Sequence, residues 1–233
     1  DLAEFGDKPM WMLKNPGKHR GEGVTILSKE TKNSKFRMLD NGRECGNIRT
    51  SLIATRYISN PSLIEGKKFD LRVYMFISST EPLVVFFSPL YYSRIAVSTY
   101  DKNASSNDIA LTNRSQARKN LKAKGIWQEK HAELIMVYKD LEAYFYEQGM
   151  TDDPNWLSGR INREMKTFMV HAMRMVKPML GKSPNYFELV GMDFLIDKNL
   201  HLWFIEGNRT PNLDDIPIEK RIVMRDIVKI TNQ

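Results

Sequence analysis

The most informative segment of the chain is residues 186–208, which reads YFELVGMDFLIDKNLHLWFIEGN. Two mostly apolar runs, Tyr186 to Ile196 and His201 to Ile205, are separated by the polar turn Asp197-Lys198-Asn199. Apolar runs of this length on either side of a short turn predict two β-strands that pair antiparallel. The segment therefore predicts a β-hairpin.

Three polar residues of this segment form the first candidate site. Asp193 lies within the first strand, Glu206 ends the second, and Asn208 follows two residues later, so that Glu206 and Asn208 share one side of an extended chain. Two carboxylates and an amide oxygen at one end of a sheet suit Mg²⁺. The alternative is three solvated polar residues near turns. The metal site is favoured because an acid inside an apolar strand needs a partner to offset its desolvation.

A second candidate site lies upstream, in residues 68–72, which read KFDLR. Alternation in a strand places Lys68, Asp70 and Arg72 on one face and the two apolar residues on the other. Charges of mixed sign on one face are also typical of cross-strand ion pairs. Taken alone, the pattern favours ion pairs.

A third candidate is the glycine-rich turn from Gly17 to Gly23, between the apolar runs Met10 to Leu13 and Val24 to Leu27. It matches neither the P-loop nor the dinucleotide-binding pattern. Its backbone N–H groups, with Lys18 and Arg20, could still cover phosphates, although glycine-rich hairpin turns are common. A flexible cationic loop, a charged strand and a Mg²⁺ set together are what an ATP site needs.

Apolar spacing predicts the remaining elements. Residues 101–126 are polar and basic, which predicts a long surface loop. The methionines of the second predicted helix have core spacing and favour a core over a binding groove. The mixed order of strands and helices predicts an α+β fold. The predicted strands are Phe69 to Ser78, Leu83 to Phe87 and Tyr91 to Val97, and the predicted helices carry the stripe Leu134, Tyr138, Leu141 and Phe145, the stripe from Ile161 to Met179, and the run Ile218 to Ile230.

Composition excludes several classes of protein. The 233 residues are 42% hydrophobic and 27% charged, which argues against intrinsic disorder. A single cysteine cannot form an internal disulfide, the four histidines lack metal-ligand spacing, and no apolar run is long enough to span a bilayer. The net charge of +7 predicts a polyanionic partner, which charge alone does not identify.

Six blocks of the sequence resemble, in order and spacing, the tubulin tyrosine ligase-like family. They are Lys14 with the run from Gly17 to Val24, Arg56 to Pro61, Lys68 to Arg72, Leu111 to Asn113, Gly191 to Asp197 and Phe204 to Asn208. The resemblance implies an ATP-grasp fold of α+β class, with two subdomains that hold ATP between mixed or antiparallel sheets with flanking helices. It implies a partial central subdomain over residues 1–62 and a C-terminal subdomain with the metal site over 63–233, with the family's N-terminal subdomain absent from this chain.

The resemblance also implies roles for individual residues. Lys14 would reach the α- and β-phosphates, Arg20 and Gly21 would lie in the loop closing over them, and residues 55–58 would form the adenine hinge. The full nucleotide-binding set is Lys14, Arg20, Gly21, Thr55, Arg56, Tyr57, Ile58, Lys68, Asp70, Thr112 and Asn113. The implied catalytic residues are Arg72, Arg94 and Asn113, the substrate-binding residues are Arg94, Ser115 and Arg118, and the magnesium ligands are Asp193, Glu206 and Asn208.

The family's chemistry implies an ATP-dependent ligase that adds Glu, Gly or Tyr to a carboxylate of tubulin through an acyl phosphate. Polyglutamylase or glycylase activity is favoured, with ATP and Mg²⁺ as cofactors and a free amino acid and acidic tubulin tails as partners, and with neither nucleic acid nor membrane. The implied location is the cytoplasm and cytoskeleton, extending to the cilium, axoneme or basal body. The alternative is a structural microtubule- or axoneme-associated protein with an inactive or weakly active core, motivated by the family departures Thr55, Ala110 and Gly207.

Overall fold

The computed structural model describes residues 11–15, 24–27, 53–101, 112, 114–182, 187–209, 211 and 225. The chain divides into two compact units, Asp1–Phe69 with Ile95–Leu134 and Asp70–Arg94 with Ile135–Gln233. The described elements are mixed strands and helices, and every strand pairing with a described register is antiparallel. The predicted α+β class is confirmed.

The first unit contains a three-stranded sheet with β1 (Trp11–Lys14) at its centre. Strands β2 (Val24–Leu27) and β3 (Ile53–Arg56) pair with it on either side, both antiparallel. A short strand β4 (Leu63–Ile64) then turns back into β5 (Lys67–Thr80) through Glu65 and Gly66. Both turn residues have positive φ, 48° and 73°, the backbone that a tight hairpin turn requires and that glycine adopts without steric cost.

A longer sheet has the strand order β10-β9-β5-β7-β8, with β4 and β6 paired to β5. Its remaining strands are β6 (Leu83–Phe87), β7 (Tyr92–Thr99), β8 (Ile135–Val137), β9 (Glu188–Ile196) and β10 (Leu202–Asn208). The second half of β5 is flanked by β6 and β9, and its apolar residues Tyr74 to Ile77 are at most 4% exposed. The predicted pairing of β5 with β6 and the predicted β9–β10 hairpin are both present.

Four α-helices lie among the described residues: α1 (Arg114–Ala123), α2 (Trp127–Lys130), α3 (Tyr138–Glu147) and α4 (Asn162–Val176). A π-helical turn, Leu157–Ile161, leads into α4. Glu142 on α3 holds this turn, because its Oε1 accepts hydrogen bonds from the backbone N–H groups of Leu157 (3.0 Å) and Ser158 (2.7 Å). None of the helices in the described ranges is long and apolar enough to cross a membrane.

The core of the second unit forms where α4 packs on the sheet. Met165, Met169 and Met173 on α4 are at most 5% exposed, which confirms the expected core position for these three methionines, whereas Met179 at the end of the predicted stripe is 79% exposed and the expectation is wrong there. Phe168 of the same helix stacks on Phe204 of β10 at 4.4 Å between ring centroids and meets Phe194 of β9 edge-on at 5.6 Å. One face of the β9–β10 hairpin is therefore apolar and points at a helix.

Three expectations from the sequence are corrected. The loop predicted over residues 101–126 contains α1, because Ala117 and Leu121 are spaced one turn apart and pack with the buried Trp127. The helix predicted from Leu134 begins only at Tyr138, since residues 135–137 form β8 against β7. Strand β10 extends past Ile205 to Asn208. The glycine-rich turn and the predicted helix over 218–230 lie outside the described residues, apart from helical Arg225.

Candidate functional site

Charged side chains from four neighbouring strands meet on the face of the second unit's sheet opposite α4. The strand register places Arg72 of β5 beside Asp193 of β9, and Asp193 beside Glu206 of β10. Residues directly opposite on antiparallel strands share a face. Asp70 precedes Arg72 by two residues, and Arg94 of β7 completes the group. We call Asp70, Arg72, Arg94 and Asp193 the ionic row.

Asp193 is the centre of the ionic row. Its Oδ1 accepts a hydrogen bond from Arg72 Nε at 2.5 Å, and its Oδ2 accepts from Arg72 Nη2 at 3.0 Å, Arg94 Nη2 at 2.8 Å and Asn208 Nδ2 at 3.2 Å. A carboxylate offers about four lone-pair sites, so these four bonds satisfy it. The residue is only 1% exposed, and such burial is tolerable for a charge that is paired in this way.

Arg94 joins the two acids of the ionic row. Its Nε and Nη2 donate to Asp70 Oδ1 and Oδ2 at 2.7 and 2.6 Å, a bidentate arrangement, while Nη2 also reaches Asp193. Burial disfavours the charge of Arg94, but Asp193 and Asp70 outweigh it and raise the pKa of its guanidinium. Burial likewise opposes ionisation of Asp193, whereas Arg94 and Arg72 lower the pKa of its carboxyl group. The row pairs two arginines with two aspartates, so its formal charges cancel.

Both guanidinium groups keep donors for another molecule. Arg72 and Arg94 bond through Nε and Nη2, and in the part of the chain that the structure describes their Nη1 atoms donate to no residue. The Nη1 groups could therefore bind phosphoryl or carboxylate oxygens without breaking the row.

A β-bulge decides which way Glu206 points. In the β9–β10 pairing Phe204 lies opposite Phe194, yet Glu206 lies opposite Asp193, so Ile205 is an extra residue in β10. Without it, Glu206 would lie opposite Met192 on the apolar face that meets α4. The extra residue reverses the alternation and turns Glu206 to the face of Asp193. Glu206 is exposed there, at the edge of the sheet.

Two glycines flank the site on opposite faces of the hairpin. A Cβ at Gly191 would lie 3.0 Å from Pro211 Cβ and 3.2 Å from Arg72 Cδ, tighter than most side chains pack, so these neighbours would have to move by a few tenths of an ångström. Glycine at this position leaves room for the Arg72 side chain as it reaches Asp193. A Cβ at Gly207 would instead make ordinary contacts with Met192 Sδ (3.5 Å) and Val190 Cγ1 (3.8 Å) on the apolar face.

The donor set at this edge fits a hard cation such as Mg²⁺ in its chemistry. Glu206 supplies an exposed carboxylate, and Asn208 contacts Asp193 through its Nδ2, which leaves its Oδ1 as the acceptor on the other side of the amide. To bind the cation, the Asp193 carboxylate would give up one of the four hydrogen bonds that it accepts. No group of three or more His, Cys, Asp or Glu side chains suited to a metal occurs among the described residues, so the set depends on the amide oxygen.

Predicted nucleotide-binding residues of the first unit form a separate small cluster. Lys68 is 6% exposed, and its Nζ donates to Tyr57 Oη at 3.2 Å while lying 4.4 Å from the centre of the Tyr57 ring. Burial, followed by the neighbouring Tyr100, raises the pKa of Tyr57 and keeps its hydroxyl protonated. The Thr55 hydroxyl donates to the Met12 carbonyl at 3.4 Å, which ties β3 to β1.

The other predicted residues are placed as follows. Lys14 and Ile58 are half-buried, Arg56 is exposed, and Thr112 is half-buried in an irregular segment. Arg118 on α1 is exposed, with its guanidinium 5.8 Å from the centre of the Trp127 ring. Ser115 lies in the first turn of α1, and its side chain is outside the described part. Arg20, Gly21 and Asn113 also lie outside the described residues.

Sequence reasoning did not find the bulge at Ile205 or the need for glycine at 191. The bulge leaves only an indirect signal in the sequence. Phe204 and Glu206 are two positions apart and would share a face of a regular strand, yet Phe204 faces α4 and Glu206 faces the ionic row. Gly191 could have been noticed, because a glycine two residues before a buried acid in a strand often marks a close approach.

The fold and site together define a class of protein: an α+β chain of antiparallel sheets, of ATP-grasp-like type, with paired acids and arginines at one sheet face. The family model described as the tubulin-tyrosine ligase family matches residues 2–231. The chain belongs to this family.

Three curated proteins illustrate how far the similarity extends. The human protein named inactive polyglycylase TTLL10 is 28% identical, over 90% of this chain and 32% of its own length. Tubulin glycylase 3D of Tetrahymena thermophila is 25% identical, over 97% of this chain and 21% of its own length. Mouse tubulin monoglutamylase TTLL4 is 26% identical, over 97% of this chain and 19% of its own length. The chain spans a third or less of the length of these relatives.

Proposed function

We propose that this protein is an ATP-dependent ligase that joins a free amino acid to a carboxylate of tubulin. The observation that carries the proposal is the bulge at Ile205, because it turns Glu206 to the sheet face that holds Asp193 and the two arginines. An exposed acid beside a neutral row of buried ion pairs is an arrangement that a merely structural sheet face does not require.

The reaction proceeds in two transfers. The γ-phosphoryl group of ATP moves to the acceptor carboxylate, which gives ADP and an acyl phosphate. The amine of the incoming amino acid then attacks the acyl carbon, an amide bond forms, and phosphate leaves. Mg²⁺ held by Asp193, Glu206 and Asn208 would supply charge stabilisation at the phosphoryl oxygens. The protein's own contribution is mainly to position the reacting groups and stabilise charge.

Arg72 and Arg94 are proposed to act through their Nη1 groups. The bonds to Asp193 and Asp70 fix both guanidinium planes, so the remaining donors are aimed before the substrate arrives. Preorganised donors stabilise developing negative charge better than mobile ones, because they need not reorganise during the reaction. In this role Asp70 orients Arg94, in addition to the nucleotide-binding role implied by the family resemblance.

Nucleotide binding is assigned to residues of both predicted subdomains, 1–62 and 63–233. Lys14, Arg20 and Gly21 would cover the phosphates, and residues 55–58 would form the adenine hinge. Lys68 supports this assignment because Tyr57 holds its buried ammonium group in place. Thr112 and Asn113 would lie near the transferred phosphate. We assign Ser115, Arg118 and Arg94 to the amino acid and the acceptor carboxylate.

Tubulin is proposed as the partner because relatives are named as tubulin glycylase and tubulin monoglutamylase. Glycine or glutamate is accordingly the favoured amino acid, with tyrosine as the remaining candidate. An acidic tubulin tail also complements the net charge of +7. A tubulin-modifying enzyme would work in the cytoplasm on the cytoskeleton, including the axoneme or basal body of cilia.

A second candidate function is a structural microtubule-binding role with an inactive core. Two observations favour it: the Thr55 hydroxyl of the proposed hinge already bonds the Met12 carbonyl, and one relative is named as inactive. This alternative expects microtubule binding without transfer of an amino acid.

The test has two stages on the same purified protein. Calorimetry measures binding of ATP in the presence of Mg²⁺, and labelled glutamate, glycine and tyrosine are then offered with tubulin. We expect ATP binding and transfer of one of the three amino acids. Arg118→Gln is expected to raise the KM for the amino acid while leaving ATP affinity unchanged, and Arg118→Lys is the matched variant that keeps the charge. ATP binding without any transfer would favour the structural role.

A further inference from the structure

Strand β6 forms one edge of the second unit's sheet. It pairs with β5 on one side, and in the described part of the chain no strand pairs with its other side. Its five residues, Leu83–Phe87, are all apolar. The irregularity in this pairing is an extra residue in β5, Ser78, so β6 itself alternates regularly. Natural sheets commonly protect such an edge with a charge or a proline, and β6 contains neither.

The register shows which backbone groups of β6 point out of the sheet. The N–H of Ser88 donates to the carbonyl of Tyr74 on β5 at 2.9 Å. Hydrogen-bonded and non-hydrogen-bonded pairs alternate along antiparallel strands, so Phe86, two residues earlier, also turns its backbone groups to β5. Val85 and Phe87 then direct their N–H and C=O groups away from β5. Two donors and two acceptors therefore line the open edge.

An exposed row of aromatic rings ends at the same edge. Phe86 is 41% exposed, and Phe187, just before β9, is 60% exposed. Phe76 lies between them, with its ring centroid 6.5 Å from that of Phe86 and 6.2 Å from that of Phe187. Val84, on the same side of β6 as Phe86, is 37% exposed and extends the apolar surface. Contiguous exposed apolar surface of this kind is typical of an interaction site.

We propose that the β6 edge pairs with the β6 edge of a second copy of this chain, antiparallel and about a two-fold axis at Phe86. In this register Val85 of each copy exchanges both of its backbone hydrogen bonds with Phe87 of the other. The two Phe86 residues lie directly opposite each other in a non-hydrogen-bonded pair, where Cα atoms are about 4.5 Å apart. Cross-strand aromatic pairs stabilise sheets, and here the pair joins the ring rows of the two copies.

A second copy is the favoured occupant because the edge is complementary to itself. The outward hydrogen-bonding groups are symmetric about Phe86, and no like charges within the strand come to lie opposite each other. The two ends of the strand differ: exposed Glu81 precedes β6, whereas Lys166 of α4 lies 5.1 Å from the centre of the Phe87 ring. An antiparallel copy brings the acid of one chain toward the base of the other. Glu81 also pairs with Lys182 at 3.5 Å, but both side chains are exposed and such a pair is weak.

The assembly should stop at two copies. Each chain offers one β6 edge, and a two-fold axis uses that same edge on both chains, so the pairing closes. The surface differs from the ionic row in its chemistry, because an uncharged apolar strand offers nothing that attracts an acidic peptide. The inference does not rest on the proposed function, since dimerisation is measured without nucleotide or tubulin.

Sedimentation velocity of the full chain over a series of protein concentrations measures the dimer. Phe86→Lys places a charge on the axis, and Val85→Pro removes an outward N–H that β5 does not use. Each should raise the Kd of the dimer about tenfold or more and leave the monomer folded, which melting temperatures check. Tyr146→Lys is the matched control, because it replaces an aromatic side chain of similar exposure, 48%, on α3. It should leave the Kd unchanged.

Disulfide cross-linking tests the register separately. In a Cys45→Ser background, Phe86→Cys brings two thiols together at the pair on the axis, at a separation that suits a disulfide. Mild oxidation should then give a covalent dimer. Tyr146→Cys, an exposed cysteine away from the edge, should give none under the same conditions.

Three results would overturn the proposal. They are a wild-type protein that stays monomeric at every concentration, a dimer that survives Phe86→Lys and Val85→Pro unchanged, and association that continues beyond two copies without a dimer plateau. If Phe86→Lys does not fold, Val85→Pro and the cross-link still decide. A monomeric wild type that instead binds an uncharged strand-forming peptide, and loses it in Val85→Pro, would assign the edge to a different partner.

Discussion

The ionic row and the exposed lysines of α1 and the turn that follows it, Lys119, Lys122 and Lys124, hold their cationic side chains in opposite ways, and we call these three lysines the lysine face. In the ionic row, Arg72 and Arg94 are each 8% exposed and are matched by two aspartates, so the row is neutral. The lysine face is exposed and has no acid in its own segment. Burial requires pairing because an isolated charge in the interior costs several kcal/mol. The net charge of the protein is therefore carried by surfaces such as the lysine face.

The two regions should also differ in what their substitution changes. Removing a member of the ionic row leaves a buried charge without its partner, so the folded state is destabilised. Removing a surface lysine leaves only a solvated surface, so long-range attraction changes and stability does not.

The largest effect on stability is expected for Asp193→Ala. The substitution leaves two buried guanidinium groups facing each other, which should lower the free energy of unfolding by about 3–5 kcal/mol. Urea unfolding measures it, with Lys122→Gln as the surface counterpart, expected to change stability by less than about 0.5 kcal/mol. Similar losses in the two variants would mean that the contrast between the regions is false.

Glu206→Gln should separate activity from stability at the exposed sheet edge beside the ionic row. The variant keeps the shape of the side chain but removes the charge assigned to the metal, so phosphoryl transfer should fall by about a hundredfold or more. Its melting temperature should stay unchanged because Glu206 is exposed. Glu147→Gln, an exposed acid on α3, is the control. Near-normal turnover of the Glu206 variant would remove this residue from the metal set.

Gly191→Ala should disturb the row without removing any charge. The new methyl group would press on Arg72 Cδ and Pro211 Cβ, so Arg72 must shift away from Asp193. We expect a loss of about 1–3 kcal/mol in the free energy of unfolding, together with reduced ligation. Urea unfolding and the transfer assay on one preparation measure both. Unchanged stability would show that Arg72 can reach Asp193 by another path.

These contacts also show which parts of the molecule the sequence could predict. The alternation within β5 was sufficient to predict that Asp70 and Arg72 share a face. The turn at Asp197 was sufficient to predict the hairpin of β9 and β10. The direction of Glu206 depends on one extra residue in a pairing register, which is a property of two strands together. Helix α1 was missed because its polar composition concealed the spacing of Ala117 and Leu121, and the Trp127 that covers it lies outside the helix.

Asp197 offers a buried carboxylate that is held mainly by hydrogen bonds and by no arginine in the described contacts, a case between the two regions. It accepts hydrogen bonds from Trp203 Nε1 at 2.9 Å and from the backbone N–H groups of Asn199 at 2.9 Å and His201 at 3.0 Å. Burial opposes its ionisation, but these bonds, led by that from Trp203, lower the pKa of Asp197. A lowered folded-state pKa means that the carboxylate stabilises the fold above its unfolded pKa and that this contribution is lost in acid.

Asp197→Asn should therefore cost about 1–2 kcal/mol in the free energy of unfolding at neutral pH. The difference from the wild type should shrink as the pH falls below about 4, where the carboxylate is protonated first in the unfolded chain, and it should vanish once the pH passes the lower pKa of the folded state. Unfolding curves from pH 7 to pH 3 measure it. A difference that stays constant with pH would mean that the hydrogen bonds, and not the charge, account for the cost.

The smallest effect is expected for Gly207→Ala, which completes a matched pair with Gly191→Ala. Both glycines lie in the same hairpin, but a Cβ at Gly207 meets Met192 Sδ at 3.5 Å and Phe204 Cζ at 4.0 Å, both ordinary contact distances. The methyl group adds apolar contact and removes backbone freedom from the unfolded chain, so stability should rise by about 0.5–1 kcal/mol. Because this face lies opposite the ionic row, ligation should not change. Opposite signs for the two substitutions would confirm that the bulge at Ile205 gives the hairpin one apolar and one charged face. A loss of ligation in the Gly207 variant would show instead that the two faces are not independent.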